Sequence, residues 1–158
     1  MNIIRQRGAQ AVEFALVLPF FLAIVLMVVE FGFVVYNKAI ITNASREAAR
    51  AGTVLSAVPW TTNNVAAVAC KYSGTLLLST SSVARTTDCS GAADPVISVA
   101  NPNGNVPPQF GDPVTVSITY PYQGFLKSWF TPVQGTAPAV TATESKWDLT
   151  AVSTMNHE

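Results

Sequence analysis

The chain has 158 residues, of which only 11% are charged, against roughly 25% in an average soluble domain. Nine basic and nine acidic side chains balance to a net charge of zero, so no cationic surplus exists to neutralise phosphates and no nucleic-acid partner is expected. At 49% hydrophobic residues the chain is also too apolar to remain disordered.

The first element is a membrane-length helix. From Phe14 to Val29 every residue is apolar apart from Pro19, and this run covers about 24 Å of helix. Continued through Phe31–Tyr36 it reaches about 34 Å, enough for a hydrocarbon core of roughly 30 Å. Arg5 and Arg7 precede the run, and Lys38, Arg46 and Arg50 follow it, so flanking charge does not set the orientation. The remainder holds both cysteines, which suits an oxidising compartment. The N-terminus is therefore read as cytoplasmic and the C-terminal part as exported. A cleaved secretory signal fits less well, because the apolar run exceeds the usual length of about 7–15 residues.

Glu13 and Glu30 stand at the two edges of this run, about 25 Å apart along a helix. A charge at the bilayer centre costs about 2.5–3.5 kcal/mol on insertion scales, so carboxylates belong at such edges or beside a partner. Glu30 is read as an interfacial group and a possible interface residue. Glu13 has a more specific context, Arg5-Gln-Arg-Gly8-Ala9-Gln-Ala-Val-Glu13-Phe14. A short basic leader, a glycine, and a glutamate five positions on at the start of an apolar helix resemble the type IV prepilin signature. That resemblance implies cutting between Gly8 and Ala9 by a prepilin peptidase. Glu13 and Phe14 would then be assembly contacts, Glu13 facing the new amine of a neighbouring subunit. In a low-dielectric setting such opposite charges compensate one another.

Ala9-Gln10 after the glycine points to the tight-adherence (Flp-type) branch and away from type II secretion pseudopilins. Ala15–Pro19, Glu30-Phe-Gly32 and Asn43–Arg50 resemble the TadE-like family of pseudopilins, as do Gly111–Pro121 and Leu149–Met155 in the later chain. The resemblance implies a pilin-like subunit or assembly factor in the bacterial inner membrane, without catalytic activity or cofactor. Its partners would be the prepilin peptidase, other pilin-like subunits and assembly-platform proteins. Four segments follow: a leader at 1–8, a transmembrane helix at 9–36, its exported continuation at 37–52, and an exported α+β domain at 53–158.

Nothing stops the helix at Tyr36. Lys38–Ala51 contains no Pro or Gly, and Gly52 is read as the residue just past the helix end. A helix from Ala9 to Ala51 would carry Pro19 inside it, where a hydrogen bond is lost and a bend is expected. Ile40, Ile41, Ala44, Ala48 and Ala51 share one face. Arg46, Glu47 and Arg50 lie opposite, either solvated or touching another subunit.

The exported part holds nine of the ten prolines and is turn-rich. Trp60–Tyr72 reads as a short helix capped by Thr61 or Thr62. Leu76–Leu78 fits either a continuation of that helix or a buried strand. Asp94–Val99 is read as a strand. Val114, Val116, Ile118 and Tyr120 alternate with polar residues and give the clearest strand in the chain. Trp147, Leu149, Ala151 and Met155 mark another. Between these two, Phe125, Leu126, Trp129 and Phe130 form an apolar cluster in a loop. It is read as a partner-docking patch, an outer-leaflet contact, or a loop folded on the sheet edge. The fold class is α+β: a long N-terminal transmembrane helix extending into a small exported domain with a short helix and a three- to four-stranded antiparallel sheet.

Cys70 and Cys89 are read as a disulfide tying the second helix to the loop before the first strand, with a stabilisation of about 3 kcal/mol. The lone histidine, His157, sits in what reads as a terminal tail, so no metal site is expected. No acid/base pair, nucleophile elbow or phosphate loop is visible, and the chain is not read as an enzyme. The competing function class is a signal-anchored exported binding module that is not processed at Gly8.

Overall fold

A computed structural model describes residues 3–54, 60–74, 76–78, 88–91, 94–104, 106–124 and 147–157, with side chains from Gln10 onward. One long helix, α1 (Ile3–Thr53), is followed by a short helix, α2 (Thr62–Ser73). Three strands follow: β1 (Val96–Ala100), β2 (Pro113–Tyr122) and β3 (Trp147–Asn156). They form one antiparallel sheet in the order β1-β2-β3. The fold is α+β, with three strands among the described residues.

β2 is the centre of the sheet because its alternation is complete. Val114, Val116, Ile118, Tyr120 and Tyr122 are all buried, while the residues between them are only partly covered. On a pleated strand this period of two places the five side chains on one face. Ile41, Ala44 and Ala48 of α1 meet that face, together with Val65 and Ala69 of α2, Ala151 of β3 and Leu77. Alanines on α1 let the sheet approach closely. Arg46 and Arg50 stay exposed on the opposite side, and Glu47 is partly covered.

α1 differs from expectation at both ends. It begins within the basic leader rather than at Ala9, and it runs through Pro19 to Thr53. Gly52 is not a residue past the helix end but lies inside the helix and is buried. The reason for glycine there is close approach. A Cβ would lie 2.9 Å from Cγ1 of Val114 and 3.4 Å from Cγ2 of Val65. The Trp60 indole N–H donates to the Gly52 carbonyl at 2.9 Å, which ties the residues just before α2 to the end of α1. Thr61 caps α2, its hydroxyl accepting the Asn64 N–H at 3.1 Å.

Leu76–Leu78 is neither helix nor strand. It is held by a side chain instead. Asn37 is fully buried and faces the Leu78 backbone. Its amide donates to the Leu78 carbonyl at 2.8 Å and its oxygen accepts the Leu78 N–H at 2.8 Å. The Tyr120 hydroxyl donates to the same carbonyl at 3.2 Å. A helix side chain thus supplies what a neighbouring strand would supply, and Leu77 is delivered to the core.

The disulfide between Cys70 and Cys89 is formed and ties α2 to the segment before β1. His157 is not in a loose tail. It is buried, its N–H donates to the Asp112 carbonyl at 2.8 Å, and its carbonyl accepts the Gly111 N–H at 2.7 Å.

Candidate functional site

The segment with functional character is the N-terminal half of α1. Gln10–Thr53 holds a stretch long and apolar enough to cross a membrane, and none of its most apolar window is buried by the rest of the chain. Large side chains stand out all round it. Phe14 is 65% exposed, Phe20 68% and Met27 62%, which leaves them for lipid or for other helices. Length and composition show only that α1 can span a membrane.

Glu13 is exposed at the start of this stretch, one residue before exposed Phe14. Gly8 and Ala9 lie on the same helix. Glu13, Phe14 and the glycine–alanine junction thus share one continuous helix, with Glu13 four positions, about 6 Å, beyond Ala9.

Glu30 is placed differently from a free interfacial group. It is 8% exposed, and the Tyr122 hydroxyl donates to its Oε1 at 2.9 Å. Gly124 lies so close that a Cβ there would come within 2.6 Å of the Glu30 carboxylate carbon and collide with the oxygen. The Glu30 carboxylate is thus held within the chain by Tyr122. A carboxylate in this apolar setting needs such a donor. Burial, then the hydrogen bond and charge of Glu30, push the Tyr122 phenol well above its ordinary pKa. The rings of Tyr120 and Tyr122 lie 6.5 Å apart and tilted.

Phe33 and Val34 pack against the domain core just above Glu30. The stretch of α1 with every described residue exposed therefore runs to Val29; beyond it exposed residues such as Phe31 and Val35 are interspersed with covered ones. Gln10–Val29 is twenty residues and about 30 Å long, close to one hydrocarbon thickness.

Contacts along α1 fix its direction relative to the sheet. The Lys38 ammonium donates to the Thr150 carbonyl, and Ser45 and Ser153 share a hydrogen bond at 2.9 Å. Tyr122, the partner of Glu30, pairs with Trp147 in the sheet register. Ascending α1 through residues 30, 38 and 45 therefore ascends β3 through 147, 150 and 153. Helix steps of about 10–12 Å match strand steps of about 10 Å, so β3 runs alongside α1 in the same direction.

Of the other predicted positions, Arg46 and Arg50 are exposed and Glu47 is partly covered, on the face turned away from the core. Phe125, Leu126, Trp129 and Phe130 lie outside the described residues. Between α2 and β1 there is an open groove of about 480 Å³ walled in part by Asn63, Cys70, Cys89 and Ile97. No group of three or more His, Cys, Asp or Glu side chains that would suit a metal ion occurs among the described residues. Sequence reasoning missed Asn37, Tyr122 and Gly124. The available signal for Asn37 was an amide inside an otherwise apolar helix stretch, since a buried amide demands partners.

The family model described as TadE-like protein matches residues 8–50. The matched segment begins at Gly8 and ends three residues before the end of α1. No curated protein and no solved structure matches the chain.

Proposed function

We propose that this chain, TadE-like over residues 8–50, is a pilin-like subunit or assembly factor of a tight-adherence (Flp-type) pilus. The carrying observation is that the family match starts at Gly8 and covers an apolar helix whose N-terminal half the rest of the chain leaves bare. Such a role is structural rather than catalytic. Residues 1–8 are the leader removed by a prepilin peptidase. Ala9–Val29 spans the inner membrane with the N-terminus cytoplasmic. From Glu30 onward the chain is exported, as the continuation of α1 and the α+β domain packed on it.

In this reading Glu13 is the assembly contact. Cleavage creates an amine at Ala9. Within hydrocarbon both that amine and the Glu13 carboxylate are costly alone, and they compensate each other when one subunit's amine meets the next subunit's Glu13. Phe14 packs beside that pair. Arg46, Glu47 and Arg50 form an exported polar face for neighbouring subunits or platform proteins, and the Phe125–Phe130 segment is a second contact.

Intact-mass measurement of membrane-extracted protein, from a host carrying the matching peptidase, tests the reading. The expected mass is that of a chain starting at Ala9. A chain still starting at Met1 would overturn processing and favour a simple signal-anchored module. Gly8→Val should block cleavage. Glu13→Ala should leave insertion and cleavage intact yet abolish piliation, and normal pili in that variant would remove Glu13 from the assembly role.

A further inference from the structure

We infer that the end of the sheet nearest the span rests in the lipid headgroup layer, with Trp147 as its anchor. The inference rests on the membrane-inserted reading of α1 and goes beyond it by giving the exported domain a lipid-contacting surface.

Three observations converge on the height of Trp147. The Tyr122 hydroxyl reaches Glu30, and Tyr122 is the register partner of Trp147. Thr150 accepts from Lys38, and three strand residues below it correspond to about 10 Å, or about seven helix residues, which returns to residue 31. The same step taken from the Ser45–Ser153 pair to Thr150 lands back at Lys38. Trp147 therefore lies level with the upper limit of the bare apolar helix.

Its environment fits that height. Trp147 is 65% exposed although it stands on the strand face that elsewhere carries Leu149 and Ala151 toward the core. Phe31, at the same level on α1, is 69% exposed. A large aromatic with one polar N–H is poorly placed in bulk water and well placed at a membrane interface, where the ring meets acyl chains and the indole N–H meets headgroup oxygens. The occupant is a lipid headgroup layer because the apolar helix beside Trp147 passes directly into the hydrocarbon. The Glu30–Tyr122 bond keeps the two at a fixed relative height.

Depth-dependent fluorescence quenching tests this on the full chain in phosphatidylcholine vesicles. A Trp129→Phe protein retains Trp60 and Trp147. Trp60 donates to Gly52, about 33 Å of helix above Glu30, and serves as an aqueous reference. Lipids brominated near the headgroup should quench the Trp147 share of the emission, while lipids brominated near the chain ends should quench it less. The Trp129→Phe/Trp147→Phe protein should be insensitive to both. A separate control adds Phe20→Trp to that double variant, with deep bromines expected to quench the new tryptophan strongly. If Phe20→Trp is quenched and Trp147 is not, the headgroup contact is overturned while membrane insertion stands. If neither is quenched, insertion itself fails, and the contact fails with it. Trp147 shielded from aqueous acrylamide yet insensitive to bromolipid would identify a protein neighbour there and would also overturn the lipid assignment.

Discussion

Replacing Asn37 by leucine, which keeps its volume and removes its polar atoms, perturbs the contact that holds Leu76–Leu78 on α1. Two hydrogen bonds of 2.8 Å are lost, each contributing about 0.5–1.5 kcal/mol net. The two freed backbone groups are not equivalent. The Leu78 carbonyl keeps the Tyr120 hydroxyl at 3.2 Å, whereas the Leu78 N–H loses its acceptor. An unsatisfied N–H at a part-buried site adds about 1–3 kcal/mol, so the total loss is about 2–6 kcal/mol. With a urea slope of about 1–3 kcal/mol/M, the unfolding midpoint falls by about 1–3 M. Detergent-solubilised protein carrying Trp129→Phe and Trp147→Phe, followed by Trp60 emission, reads this directly, since Trp60 is hydrogen-bonded to Gly52 near the end of α1. Tyr120→Phe alone should cost about 1 kcal/mol, and more in the Asn37→Leu background, because both side chains serve one carbonyl. A loss below about 0.5 kcal/mol for Asn37→Leu would refute the reasoning, placing the change among neutral surface substitutions.

Gly52→Ala should destabilise by about 1 kcal/mol, because overpacking against stiff, buried Val114 outweighs the helix-propensity gain of about 1 kcal/mol. Gly32→Ala meets nothing within 4 Å and should show no such loss, which makes the pair of urea midpoints a test of close approach. Tyr122→Phe should be less stable than the parent at neutral pH. The folded Tyr122 pKa lies above its unfolded value of about 10, so its contribution is complete below about pH 10 and is lost as pH rises beyond it. The stability gap between parent and variant should therefore narrow steadily as pH rises past about 10, and a gap that stays constant up to about pH 11 would contradict the placement of Tyr122. Removing the disulfide by Cys70→Ser/Cys89→Ser should lower stability by about 3 kcal/mol in urea melts.

Elements governed by local pattern were readable in advance. The alternation of Val114, Val116, Ile118 and Tyr120 marked β2, and the unbroken apolar and alanine-rich run marked α1. Thr61 as a cap followed from the same short-range chemistry. What escaped was decided at long range. Leu76–Leu78 takes its conformation from Asn37, 41 residues earlier, and from Tyr120, 42 residues later. Glu30 finds its donor 92 residues away in Tyr122, and no window along the chain carries that distance. Gly52 was legible as a special position, but its reason was misread, because Val114 becomes its neighbour only once the sheet has folded onto the helix. The Gly8–Glu13 segment, by contrast, stands out by its residue pattern alone, and the family match begins at its glycine.

The parallel course of β3 and α1 also has a mechanical meaning. A pull along the helix axis loads Glu30–Tyr122, Asn37–Leu78, Lys38–Thr150 and Ser45–Ser153 together, in shear. A sideways pull would open them one after another, like a zip. Under the proposed function, extraction from a membrane or tension along a fibre would act along this axis, the direction in which the load is shared across the rungs.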